Sequence, residues 1–417
     1  MGDDFNMKLQ SIHPIGLNII IGTFFARLAT SMSIPFLSIY LTATKGFSPS
    51  IVGAIIGTSA LIGVCTSFIG GTLSDRYGRK MIMISSIIVW MLVFIGFSFA
   101  NDVLSFFILS ALNGICRSFF EPASRALLSD LTKSENRLLI FNLRYAAINA
   151  GVAVGPIIGL QLGSAKSTIP FVVAAFVYFL YMTSLIIQFI KYKLGGDKGN
   201  VKERVTIKDS IHILRKDMVF LSALIGIILG YSGYSHFSSS LSQYFANSDV
   251  FQDGVSLFSH ALVLNAVTVL IIQYPVTQIG KKYSAVVSIM FGTFIISLSL
   301  IGFGIIHSIW MVYACTILFT IGEVLIFSMT DLFIDQIAIQ NLKGTYFGAM
   351  GFSSFGGVIG PWLGGILFDY YGYNSGGLVF IILSGICALG VPVLIFVKLL
   401  LNRRVNQKVT NVEKVVR

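Results

Sequence analysis

From Ile82 to Ala100 the chain carries no charged side chain. As a helix rising 1.5 Å per residue, that stretch is about 28 Å long, close to the ~30 Å thickness of a bilayer's hydrocarbon. Twelve runs of this kind follow one another. They lie near 15–41, 49–73, 81–100, 103–129, 138–162, 168–190, 218–246, 254–279, 284–305, 309–335, 345–368 and 374–398. The runs are continuous and lack the alternation of barrel strands, so they read as helices, here called spans 1 to 12. In hydrocarbon the backbone has no water to bond with, and a helix satisfies its own N–H and C=O groups. The expected class is an all-α integral membrane protein with twelve transmembrane helices.

Composition excludes the soluble alternative. The chain is 55% hydrophobic and 11% charged, against roughly 25% charged in ordinary soluble domains. Its mean hydropathy is +0.84. The net charge of +11 raises the question of nucleic acid, but its distribution speaks for orientation. With both termini placed in the cytoplasm, the expected external loops hold only Lys45 and Lys166. Arg27, Arg117, Arg125, Arg144 and Lys398 lie in or at the edges of spans, and the other 22 of the 29 Lys and Arg fall on the cytoplasmic side. That is the positive-inside pattern of a multi-pass cell-membrane protein, and no nucleic-acid partner is expected. The four cysteines, Cys65, Cys116, Cys315 and Cys387, all fall within spans without paired spacing, so neither disulfides nor a metal site are expected. The first run is long for a signal-peptide core and lacks a small-residue cleavage site, so it reads as retained.

One polar interruption divides the spans six and six. Lys191 to Asp217 carries glycines and eight Lys or Arg. The expected organisation is an N-terminal six-helix lobe over 1–191, a cytoplasmic linker over 192–216, a C-terminal six-helix lobe over 217–400 and a basic cytoplasmic tail over 401–417. The linker reads chiefly as solvated chain, with a short surface helix from Thr206 to Leu214 as the alternative.

The halves repeat. Gly151, Gly155, Pro156 and Gly159 map onto Gly356, Gly360, Pro361 and Gly364 at one offset of 205, and the same offset maps Asp130 onto Asp335. Duplicated, pseudo-symmetric lobes are a common build for secondary transporters. Small residues four apart also let helix backbones approach closely in lipid.

The turn between spans 2 and 3, "GGTLSDRYGRKM" from Gly70 to Met81, is charged and bracketed by glycine. A carboxylate at Asp75 is unfavourable at a helix C-terminus unless partnered. Arg76, Arg79 and the exposed N-terminus of another helix are the partners at hand. Gly78 permits the turn. At offset 205 the second half has Gly280 where the first has Asp75, so the second copy has lost the acid.

Gly71, Asp75, Arg76, Gly78, Arg79 and Lys80 match the signature between helices 2 and 3 of the major facilitator superfamily, which this chain resembles over nearly its whole length. The glycine motif of span 5 resembles that of the superfamily's drug–proton antiporter branch, with Leu160 in place of its last glycine. Gly322 to Phe327 is similar to a segment of some multidrug antiporters. The family often has an arginine where this chain has Ser110; Arg117 stands three residues after Gly114 instead. The resemblance implies alternating access, with Asp75 latching the cytoplasmic side against span 11. It also implies tight packing of span 5 on span 8 and of span 11 on span 2. Read from the residues alone, the alternative to a latch is a topogenic positive loop with a satisfied acid.

Ionisable residues inside spans carry the mechanism, since each costs about 2.5–3.5 kcal/mol at a helix centre on insertion scales. Arg27 and Arg117 lie ~18 Å from the cytoplasmic ends of spans 1 and 4, and Glu121 and Arg144 ~12 Å. Together they leave the first half net positive. Arg117 and Glu121 are i,i+4 neighbours, expected to pair. That pair is either structural or a substrate or proton site. In the second half Glu323 lies ~18 Å deep in span 10, with no Lys or Arg near that depth in spans 7–11. It is expected either to exchange a proton near neutral pH or to stay protonated and hydrogen-bonded. Asp331 and Asp335, nearer the cytoplasmic edge, are helix-end or gate residues. His236 and His260 sit towards the external ends of spans 7 and 8, as boundary residues or a proton entry. Tyr231, Tyr234, Phe237 and Tyr244 form an aromatic surface for a cavity or for packing.

The expected function is proton-coupled export of small amphipathic compounds, with a small-molecule substrate, protons and the lipid bilayer as partners and a monomer as the working unit. Excess arginine keeps a second transporter reading open, a specific organic anion, zwitterion or peptide-like metabolite. A membrane scaffold or sensor is the reading outside transport. No phosphate-binding loop, zinc motif or nucleophile–base set occurs, so no cofactor and no enzymatic reaction are expected.

Overall fold

The computed structural model describes residues 12–162, 167–192, 207–249, 253–306 and 308–416. Regular structure among them is helical throughout, and twelve stretches are long and apolar enough to cross a membrane. The first lobe's spans are α1 (Pro14–Ala43), α2 (Pro49–Tyr77), α3 (Arg79–Phe99), α4 (Val103–Asp130), α5 (Arg137–Leu162) and α6 (Ile169–Lys191). A short amphipathic α7 (Ile207–Lys216) follows, so the second part of the expected linker is helical. Then come α8 (Met218–Ser238), α9 (Ser240–Asn247), α10 (Gly254–Lys281), α11 (Ala285–Gly304), α12 (Ile309–Ile337), α13 (Lys343–Met350), α14 (Gly356–Tyr371), α15 (Gly376–Ala388) and α16 (Gly390–Val416). Lys166 and the first part of the linker lie outside the described residues.

Three spans that read as continuous are interrupted. Span 7 is α8 plus α9, span 11 is α13 plus α14, and span 12 is α15 plus α16. Between α8 and α9 the hydroxyls of Ser235, Ser239 and Ser242 bond back to carbonyls of their own turns. Serine hydroxyls compete in this way with the helical ladder. Between α13 and α14 the chain tightens into a 3-10 turn, Gly351–Phe355.

The helix starts are capped as their sequences suggest. Asp102 accepts from Ser105 N at 2.9 Å, Asp217 from Val219 and Phe220 N at 3.1 Å, and Asp253 from Ser256 N at 3.1 Å. Such caps contribute about 1 kcal/mol each. The Ser105 hydroxyl and then its amide hold the Asp102 carboxyl below its ordinary range.

The helices gather into two compact units. The first comprises Met1–Ser210 and Ile334–Gly351, the second Ile211–Phe333 and Phe352–Arg417. Sequence halves predicted a division at 192–216. By compactness the last residues of α12 and all of α13 go with the first unit. Trp90 and Phe94 stack on Tyr178 at 4.8 and 5.5 Å in the first core. Phe237 stacks on Phe319 at 4.7 Å in the second, beside Phe303. Large apolar side chains such as Phe99 (77% exposed) and Trp310 (76% exposed) point outward. So much exposed apolar surface suits lipid and not water.

The 205-residue repeat reappears as packing. In unit one a Cβ on Gly151 would come 2.6 Å from the Phe24 carbonyl oxygen, and one on Gly155 2.7 Å from that of Leu28, both on α1. In unit two Gly356, Gly360 and Gly364 of α14 lie in the same way against α8 and Ser240. Within unit one the near neighbours of Gly151 and Gly155 are on α1, where only glycine leaves room.

Candidate functional site

Asp75, the last acid of α2, finds its partner in the first turn of α13. Its Oδ1 accepts from Gly344 N at 3.0 Å, and its Oδ2 from Thr345 N at 2.7 Å and Thr345 Oγ1 at 2.9 Å. The side chain is only 5% exposed. The first amides of a helix have no intrahelical acceptor and carry the positive end of its dipole, so a carboxylate there satisfies both. Backbones approach closely where the two helices cross. A Cβ on Gly71 would strike the Gly344 carbonyl, and one on Gly348 would lie 2.5 Å from the Ser67 carbonyl oxygen. The expected packing of span 11 on span 2 is thus made by α13.

The turn's cations divide their work. Gly78 has φ +93° and ends α2. Arg79 lies 3.6 Å from Asp75 Oδ1, pairs with Asp130 and donates to the Ala126 carbonyl at 2.8 Å, tying α3 to the end of α4. Arg76 lies over the Tyr77 ring and Lys80 over Phe189. Beside this turn Asp335, 3% exposed, pairs with Arg137 Nη1 at 2.7 Å and Lys343 Nζ at 2.6 Å and accepts from Ser129. Asp130 and Asp335, equivalent by the repeat, both serve as acceptors for arginine in unit one.

Deeper in unit one the charges pair differently from expectation. Arg27 of α1 binds Glu121 Oε1, and Arg144 of α5 binds Glu121 Oε2. The expected Arg117–Glu121 ion pair is absent. Both carboxylate oxygens are already taken by guanidiniums from two other helices, a fork that one helix face cannot offer. Arg117 makes no hydrogen bond or ion pair among the described residues. It lies near Arg27, Glu121 and Tyr178, with its Nη2 3.8 Å from where a Cβ on Gly63 would sit. A cavity of about 10 Å³ adjoins the cluster, lined by Thr23, Thr30, Trp90, Phe120 and the three paired charges.

In unit two Glu323 is 3% exposed. Asn265 of α10 donates to its Oε2 at 2.7 Å and to Thr320 Oγ1 at 2.9 Å. Tyr234 lies close enough to feel the Glu323 carboxylate and packs between Phe319 and Phe327. Asp331 is half-buried two turns further along α12. His236 is buried against Ser240 at 2.9 Å, whereas His260 is exposed. Tyr231 and Phe237 are likewise in ring contacts of the core.

Sequence reasoning missed Gly344, Thr345, Gly348, Lys343 and Asn265. The small residues four apart at 344 and 348 were a readable signal for close packing. Nothing local marks Asn265 as a partner for Glu323.

The Major Facilitator Superfamily profile matches residues 19–355. An uncharacterized MFS-type transporter of Bacillus subtilis, YqjV, is 49% identical over 93% of this chain and 95% of its own. A Na(+), Li(+), K(+)/H(+) antiporter of Planococcus maritimus is 25% identical over 89% of this chain and 92% of its own. Among solved structures, an MFS transporter, FucP, in the outward conformation aligns with a TM-score of 0.75 at 12% identity, over 92% of this chain and 99% of that one. With its twelve spans and the whole turn signature, the chain belongs to the Major Facilitator Superfamily.

Proposed function

We propose that the protein is a proton-coupled secondary transporter that exports small amphipathic solutes from the cytoplasm by alternating access. The observation that carries this reading is Glu323. It is a carboxyl buried in the middle of a span, 2.7 Å from the amide of Asn265 on a neighbouring helix. Its proton is held in a closed state and exchanged in an open one, so its affinity for a proton differs between the two. A ligand drives a conformational change only through such a difference. Asp75 supplies the other requirement, a latch at the end of α2 made of hydrogen bonds that break and re-form. The antiport of protons by a relative similar along most of the chain supports the coupling ion. The positive-inside distribution supports cytoplasmic termini in the cell membrane.

The test is uphill flux. Purified protein in liposomes, given a pH gradient as the sole energy source, accumulates solute against its gradient, and a protonophore abolishes this. Only downhill equilibration would leave a facilitator, and no flux of any solute would leave a scaffold.

A further inference from the structure

Unit one carries more positive charge in its interior than it neutralises. Arg27, Arg117 and Arg144 stand in one layer with a single carboxylate, Glu121. Glu121 is fully committed, one oxygen to Arg27 and the other to Arg144. Arg117 is one helical turn from Glu121 and has no hydrogen bond or ion pair among the described residues. A cation in the middle of a span without a direct ion pair is costly, so a folded bundle that keeps one has a use for it.

The members of the cluster differ in exposure. Arg144 is 6% exposed, whereas Arg27 and Glu121 keep 25% and 17% of their side chains accessible. Arg117 lies near Arg27. Gly63 of α2 faces the Arg117 guanidinium without a side chain. Two guanidiniums, one of them without a direct ion pair among the described residues, are suited to a planar oxyanion: the fork of donors matches a carboxylate in two parallel hydrogen bonds.

We propose that Arg117 is the anchor of an anion-binding subsite, and that the exported solute is a small organic acid whose carboxylate docks on Arg117 beside Arg27. This rests on the transport reading above and names its substrate class. Glu121 is then a fixed counter-charge that holds Arg27 in place. The same field disfavours organic cations, so unit one selects by the sign of the solute's charge.

Binding is measured without any gradient, which separates this claim from coupling. Purified protein in lipid nanodiscs is titrated with benzoate, 2-naphthoate and glutarate. The neutral amide and the methylammonium analogue of naphthoate serve as shape controls. The readouts are calorimetry and the thermal unfolding midpoint. At least one acid is expected to bind saturably and raise the midpoint while the amide and the cation do not. Arg117→Gln is expected to weaken that acid by tenfold or more, about 1.4 kcal/mol, with the ligand-free midpoint unchanged. Arg117→Lys, which keeps the charge but not the fork, is expected to fall between. The proposal is overturned by failure of every acid to bind, by equal binding of the cation or the amide, or by unchanged acid binding in Arg117→Gln. It is equally overturned if Arg117→Gln lowers the ligand-free midpoint as far as Glu121→Gln does, which would make Arg117 structural. Acid binding lost in Arg117→Gln but without uphill flux in liposomes would leave the subsite standing and remove proton coupling.

Discussion

Thr345 binds Asp75 twice, through its backbone N–H at 2.7 Å and its hydroxyl at 2.9 Å, both to Oδ2. The acid closes α2 and the threonine opens α13, 270 residues later. An acid at the C-terminal end of its own helix is placed against the dipole. At the N-terminus of another helix it is placed with it. The contact therefore stabilises an arrangement of two helices, and neither helix alone.

Asp75→Asn keeps the shape and removes the charge. The amide's oxygen replaces one acceptor, but its NH₂ faces an N–H donor. A loss of about 1–2 kcal/mol is expected, a factor of roughly 5–30 in the population holding this contact. A reporter cysteine at Ser67, buried beside Gly348 and Gly351, in a chain stripped of native cysteines, should react with maleimide faster by that factor. An unchanged rate with unchanged flux would leave Asp75 as a satisfied acid and nothing more.

Gly71→Ala tests the crossing itself. The new methyl meets the backbone carbonyl of Gly344, which has no side chain to swing aside. Overpacking of this kind costs about 1–3 kcal/mol. Gly357→Ala and Gly365→Ala, where nothing lies within 4 Å, should leave flux and thermal midpoint unchanged. Equal tolerance at all three positions would show that the close approach of α2 and α13 contributes nothing.

Much of this was legible in the sequence. The twelve spans, the partnered acid of the turn and the 205-residue repeat follow from apolar run length, charge and spacing. The pairing of Glu121 was not. The i,i+4 rule sees only its own helix and proposes Arg117, whereas the true partners come from 94 residues before and 23 after. Local patterns carry no information about which side chain of α1 or α5 is rotated towards α4. The placement of α13 with unit one escaped for the same reason. Its contact of Gly344 with Asp75 spans 269 residues, and that of Asp335, at the end of α12, with Arg137 spans 198.

The corrected pairing predicts a specific non-additivity. Glu121→Gln leaves two guanidiniums facing each other without an anion, and breaking a buried pair in this way costs about 3–5 kcal/mol. Glu121→Gln with Arg144→Gln removes one of those cations and should recover part of the loss in thermal unfolding. Adding Arg117→Gln to Glu121→Gln should recover less, because Arg117 is not one of the bound pair. If the Arg117 double variant recovered more than the Arg144 one, the assignment of Glu121 to Arg27 and Arg144 would be wrong.

The central claim is that protonation of Glu323 couples the pH gradient to solute movement, and one comparison addresses it directly. Wild type and Glu323→Gln are reconstituted in liposomes, and solute flux is followed with and without an imposed pH gradient. Glutamine mimics the protonated acid at nearly the same volume and keeps a group within reach of Asn265. The account predicts that Glu323→Gln loses uphill, pH-driven accumulation and retains downhill exchange of the same solute. Uphill transport in Glu323→Gln with the pH dependence of the wild type would contradict it.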